Sequence, residues 1–177
     1  MNTINHFITI TNHKLLVMKY CFKVGLYKQG ILHDLSKYSW IEFSAGIKYY
    51  QGNRSPNGEQ KLREGYSAAW LHHKGRNKHH FEYWVDYGIK IEDGFVGMNI
   101  PKRYVVEMFL DRMSASMNYQ KENYTDRTSL EYYEFGKEYC ILHNDTRELL
   151  EILLGKLADE GEEVVLKYIK DEVLNKE

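Results

Sequence analysis

The 177-residue chain is long enough for one domain with a substantial core. Its 24 Lys and Arg residues against 25 Asp and Glu leave a net charge of −1, which removes any whole-molecule pull toward long nucleic acid or an anionic membrane surface. Hydrophobic residues at 43%, charged residues at 28% and only two prolines describe a globular chain in which helical spacing can run uninterrupted.

Taken in order, MNTINHFITITNHK lacks the basic start and long apolar run of a signal peptide. No apolar run approaches the ~20 residues that span a bilayer, so neither a membrane partner nor a membrane location is expected. The spacing predicts a first helix over 11–24, with His13, Leu16, Val17, Tyr20 and Val24 on one face and Gly25 as its stop. A second helix is expected from Ile31 through Trp40, Ile41, Phe43 and Ile47 to about Tyr50, opened by His33 and Asp34. QGNRSPNGE, residues 51–59, reads as a loop. A third helix over about 59–73 should carry Leu62, Tyr66, Ala69 and Trp70 inward, and HHFEYWVDYG reads as a short helix or turn.

Residues 88–100 hold three glycines and read as an irregular connection. Pro101 suits the first turn of PKRYVVEMFLDRMSASMNY, a segment apolar on nearly every side and so expected to be buried. A segment near 129–142 follows. Asp145 is the expected N-cap of the next helix, with Glu148 completing a capping box and Leu149, Leu150, Leu153, Leu154 and Leu157 as its stripe. A last helix is expected over 162–174. These readings sum to an all-α, single-domain bundle of about seven helices, with residues 129–177 packed on a core of about 10–115. Cys21 and Cys140 form no CxxC pair and read as buried thiols of a reducing, cytoplasmic compartment.

The histidines carry the chemical signal. Of eight, five are His33 or fall in WLHHKGRNKHH. His13 lies on the apolar face of the first helix, and Asp111 sits inside VVEMFLDRM, where an unpaired ionisable group is costly. His33 and Asp34 interrupt the apolar run GILHDLSKYSW. A shared metal ion would satisfy all of them, imidazole being the commonest side-chain ligand of transition metals. Adjacent residues of a helix point about 100° apart, so His33 and Asp34 in a helix make no simple chelating face, and both members of each HH pair are not expected to be equal ligands. The reading favours His73, His79 and His80 over His72. His6 and His143 stand outside the pattern, as structural or exposed residues, and Trp70, Tyr83 and Trp84 read as core aromatics.

The order H…HD…HH…HH…D resembles the HD-domain superfamily of metal-dependent phosphohydrolases, and HH…NxHH…YW resembles an uncharacterised bacterial branch of it. The resemblance covers about residues 10–115. It implies His13, His33, Asp34 and Asp111 as ligands of one divalent transition metal (Mn, Fe, Co, Ni or Zn), with His73, His79 and His80 for a second. It assigns catalytic roles to Asp34 and to Lys37, which matches the lysine of the HDxxK form. Lys37 would contact phosphate, unless it simply pairs with Asp34. Lys74, Arg76 and Lys78 form a basic loop suited to an anionic substrate; Arg54 and Arg112 are weaker candidates. The implied activity is hydrolysis of a nucleotide or other small phosphoester by metal-activated water, with room for a homodimer. The GYP segment is missing, so the cyclic-dinucleotide cleavage of that group is not implied. Two other readings remain open: a di-iron oxygenase on the same fold, and a regulatory domain that binds a nucleotide without cleaving it.

Overall fold

A computed structural model describes residues 2–175. It contains nine α-helices and one two-stranded hairpin among the described residues: α1 Asn2–Lys23, α2 Tyr27–Leu32, α3 Trp40–Lys48, α4 Pro56–Glu64, α5 Ala68–Lys74, β1 Val85–Tyr87, β2 Phe95–Gly97, α6 Lys102–Gln120, α7 Thr128–Gly136, α8 Asn144–Glu160 and α9 Glu162–Tyr168. The all-α expectation holds except for the hairpin, and two expected helices are each broken in two.

The expected helix over 31–50 breaks first. α2 ends at Leu32, His33 is extended, Asp34 is left-handed at φ 54°, and a 3₁₀ turn over Leu35–Tyr38 leads into α3. The apolar spacing runs through this corner, because one residue in αL redirects the chain without disturbing the pattern. The expected helix over 59–73 breaks at Gly65, whose φ of 80° caps α4 as glycine readily does. Ser67 then starts α5, its Oγ accepting the Trp70 backbone N–H at 3.0 Å. Leu62 and Tyr66, expected inside, are exposed at this break, whereas Ala69 is buried.

HHFEYWVDYG forms a 3₁₀ turn over Phe81–Trp84 and then β1, and part of the irregular 88–100 segment is β2. The strands pair antiparallel with Val85 opposite Gly97, and the Tyr87 and Phe95 rings stack across them at 4.7 Å. α8 begins two residues earlier than expected: its N-cap is His143, whose Nδ1 accepts from the Asp145 backbone N–H, in place of an Asp145–Glu148 box. Cys21 is buried, but Cys140 is only half-buried.

α6 is central. It packs on α1 and α8, and α8 packs on α7 and α9. Val17, Tyr20, Val105, Phe109, Met113, Leu150, Leu153, Leu154, Leu157, Val165 and Ile169 belong to one apolar cluster that joins α1, α6, α8, α9 and the π-helical turn Ile169–Leu174. At roughly 1.5–3 kcal/mol for each fully buried aliphatic side chain, this cluster fastens the C-terminal helices to α6 and thereby fixes α6 against α1.

Candidate metal centre

Close helix packing brings the ionisable residues together. Gly30 lets α2 approach α1: a Cβ there would sit 2.9 Å from Cys21 Cβ and 3.2 Å from the Phe22 ring. That contact sets His33 beside His13, with ring centroids 5.6 Å apart. The left-handed turn at Asp34 then swings its carboxylate to the same side as His33, which two consecutive helical residues would not achieve. Such a conformation costs a non-glycine residue roughly 1–2 kcal/mol and is typical of functional sites.

The loop bearing His79 and His80 is pinned at both ends. Trp84 Nε1 donates to the Lys78 carbonyl at 2.8 Å. Asn77 Nδ2 donates to the His73 carbonyl at 2.8 Å and to Ser36 Oγ, on the turn after Asp34, at 2.9 Å.

Asp34 lies at the middle of the cluster, and both it and His33 are only 1% exposed. Its Oδ2 lies 3.5 Å from His13 Nε2 and 3.3 Å from His33 Nε2. Asp111 Oδ1 joins the same side, 2.9 Å from His13 Nε2 and 3.4 Å from His33 Nε2. Asp34 Oδ1 faces the other way, 3.3 Å from His73 Nε2 and 3.4 Å from His79 Nε2. Two candidate ligand sets share Asp34, His13–His33–Asp34–Asp111 and Asp34–His73–His79–His80, and a third group, His33–His79–Glu107, lies on the far side of the two imidazoles.

Three features would let these sets hold a cation. First, the donors converge with poor mutual alignment: the ε nitrogens of His13, His33, His79 and His80 are buried with no well-aligned hydrogen-bond partner, although His13 Nε2 lies 2.9 Å from Asp111 Oδ1. Neither Asp34 oxygen has an aligned hydrogen bond, although Lys37 Nζ lies 2.5 Å from Oδ2. Each unsatisfied buried group costs about 1–3 kcal/mol, so such a concentration calls for a ligand. Second, the distances have the right size. Four ligands at about 2.1 Å from an ion at the centre of a tetrahedron stand about 3.4 Å apart; the contacts of Asp34 with the four imidazoles are 3.3–3.5 Å.

Third, carboxylates behind the histidines hold their tautomers. Glu107 Oε1 accepts from His33 Nδ1 at 3.0 Å and from His79 Nδ1 at 3.1 Å. Glu42 accepts from His73 Nδ1 at 2.8 Å and from His72 Nδ1 at 2.6 Å. A proton held on Nδ1 leaves the Nε2 lone pair free to point at the centre, the arrangement that orients metal-binding histidines elsewhere.

The charges respond to this crowding. Burial disfavours the charged forms of Asp34 and Asp111, yet the surrounding imidazoles, with Lys37 beside Asp34, hold both carboxyls well below the usual range. Burial likewise opposes a proton on His33, but Asp34, Asp111 and Glu107 hold its imidazole well above the ordinary value; His79 is raised against the opposition of burial and of His33. His80 is pushed far down by burial and by His79 and His73, which leaves it neutral, as a metal ligand must be.

All the expected metal ligands meet at this centre. His72 turns away onto Glu42, and His6 is buried against Gly46 and the Phe43 and Tyr50 rings, its pKa lowered to about 4 by burial and by the Lys37 charge. Lys37 forms the i,i+3 ion pair with Asp34, the alternative expected beside a phosphate contact, and reaches the centre through it. The basic loop is tied elsewhere: Arg76 donates to the His72 carbonyl, Lys78 lies over the Tyr83 and Tyr104 rings, and the Lys74 charge is felt by Glu82. Glu42 and Glu107 had no place in the sequence reading. Both are acids inside apolar helical runs, WIEFSAG and VVEMFLD, the same signal that singled out Asp111.

The DUF5662 family, a family of unknown function, matches residues 2–156 and so spans every residue of the centre. The chain belongs to DUF5662. No curated protein and no solved structure matches this DUF5662 chain.

Proposed function

We propose that this DUF5662 protein is a metal-dependent phosphohydrolase with an HD-domain-like helical core, acting on a nucleotide or other small phosphoester. The observation that carries the reading is the two-sided carboxylate of Asp34, with unpartnered imidazole nitrogens gathered on each of its oxygens. The order His13, His33–Asp34, His73, His79, His80, Asp111 adds the resemblance in sequence. Mixed imidazole and carboxylate donors suit Mn, Fe, Co, Ni or Zn. An ion held there would lower the pKa of bound water toward ~7 and polarise a phosphoryl oxygen.

The protein's own groups supply the rest. Asp34 and Asp111 provide the negative charge that holds the cations, and Glu107 and Glu42 keep the imidazoles in one tautomer. Lys37 has a side chain 30% exposed at the edge of this buried centre, where its ammonium can meet a phosphoryl oxygen arriving from solvent. The raised pKa of Lys37, opposed by burial and driven by Asp34 and Asp111, keeps it charged across the working pH range.

The test is turnover of a panel of nucleotides and simple phosphomonoesters and diesters by protein loaded with Mn, Co, Zn or Fe. Phosphate release is expected in wild type. Asp34→Asn, which keeps a residue tolerant of the left-handed backbone, should lose it by at least about a hundredfold, more than the roughly 10–100-fold that follows loss of a group that only orients a ligand. Full metal loading with no release across the panel would sink the hydrolase reading; oxygen consumption by the iron form alone would replace it with an oxygenase.

A further inference from the structure

α1 carries a second apolar seam that the described fold covers only in part, Phe22 touching α2 at Gly30 and Thr11 Oγ1 meeting the Tyr38 hydroxyl at 3.0 Å. Its inward face holds His6, Ile10, His13, Val17 and Tyr20, all buried. Roughly half a turn around the helix run Ile4, Ile8, Thr11, Leu15, Met18 and Phe22. Their spacing alternates four and three residues over the length of the helix, the 3.5-residue repeat by which one helix packs along another. Ile4 is 66% exposed, Ile8 47%, Leu15 50% and Phe22 38%. Tyr27, 5.3 Å from the Phe22 ring, and Tyr38, packed on Phe7, widen the seam at either end.

We propose that this face pairs with the same face of a second copy of the chain, α1 against α1 in antiparallel order about a two-fold axis. The seam's periodicity specifies a helix as its partner, and a two-fold pairing needs only the one surface to be self-complementary. Charge selects the direction. α1 contains no acidic residue, and its three lysines, Lys14, Lys19 and Lys23, all lie in its second half or at its middle. Lys14 is held by the Ile31 and His33 carbonyls and Lys23 by Glu162; Lys19, its ammonium over the Tyr20 ring and felt by Glu162, is exposed beside the seam. Parallel pairing would stack Lys19 on its own copy. Antiparallel pairing sets it against the uncharged stretch around Asn5 and Phe7 and opposes the two helix dipoles favourably.

Area agrees with a stable contact. At roughly 200 Å² for a large apolar side chain, the exposed fractions of Ile4, Phe7, Ile8, Leu15, Phe22, Tyr27 and Tyr38 amount to about 700 Å² per copy, near the ~800 Å² per partner of a standard interface. The antiparallel register that matches seam to seam places Ile8 opposite the partner's Met18, and Thr11 opposite the partner's Leu15.

Sedimentation equilibrium of the full chain tests the pairing. The expected mass is twice the 21.1 kDa of one chain. Leu15→Glu, on an exposed position that leaves the fold and its circular dichroism unchanged, should give the single-chain mass. A cysteine pair, Ile8→Cys with Met18→Cys, should oxidise to a covalent dimer, while Ile8→Cys alone should not. A single-chain mass for wild type at micromolar concentration, a dimer indifferent to Leu15→Glu, or efficient cross-linking by Ile8→Cys alone would each overturn the proposal. A monomer that instead binds anionic lipid vesicles through this face would overturn it too.

Discussion

Glu107 offers one carboxylate oxygen to two imidazoles, His33 on one side of Asp34 and His79 on the other. It thus orients one ligand of each proposed ion, and its removal should be felt by both. Glu107→Gln keeps the volume but loses the charge that draws the Nδ1 protons. Metal affinity, followed by titration calorimetry, should fall about 10–100-fold at both sites, the usual effect of losing such a partner. An unchanged affinity would show that packing alone aims these rings. Asp111 could be picked out in the sequence because an acid inside an apolar helix needs a partner. Glu107, one turn earlier on the same face, and Glu42 had the same signature. What separates a ligand from the residue that orients one is about 3 Å of position, and that is set by how α6 and α3 pack rather than by residue type.

At the scale of elements, the corner between α2 and α3 decides whether the centre can form. A continuous helix over 31–50 is what the apolar spacing suggests, and it would point His33 and Asp34 in different directions. The αL residue at Asp34 and the close approach at Gly30 defeat that expectation, and neither leaves a mark in hydrophobic periodicity. Gly30→Ala tests the second of these. Its methyl would press on Cys21 and Phe22, pushing α2 off α1 at a cost of about 1–3 kcal/mol. Denaturant unfolding should show that loss, and His33 should move relative to His13, so metal binding should weaken as well. A variant with wild-type stability would mean that α2 shifts freely and that the geometry of the centre is less tightly set by this contact. Long elements with a clear stripe were legible instead: α6, the leucines of α8 and the second half of α1 fall where their periodicity places them, because burial of one face is a local property of the sequence, whereas α1 begins at Asn2, nine residues before the expected start.

For the whole molecule, the proposed centre should link stability to pH differently with and without metal. In chelated protein, protons on His33 and His79 compensate Asp34, Asp111 and Glu107. Their pKa values are raised above the ordinary ~6.5, so the stability they contribute is complete below that pH and is lost as pH climbs through the raised values. Asp34 and Asp111 have lowered values, so their contribution is present above ~4 and is lost as pH falls. Thermal melts in chelator should therefore show Tm falling from pH 6 to pH 9. With Mn or Zn present the fall should disappear, because bound imidazoles need no proton. Parallel pH profiles with and without metal would contradict this linkage.

The proposed function rests on Asp34 serving two cation sites at once, and elemental analysis of the purified, metal-loaded chain addresses that directly. The expected result is about two transition-metal ions per chain in wild type and a loss of both in Asp34→Asn, with the helical content of the variant intact. A chain that binds no metal under saturating conditions, or an Asp34→Asn variant that loads as fully as wild type, would contradict it.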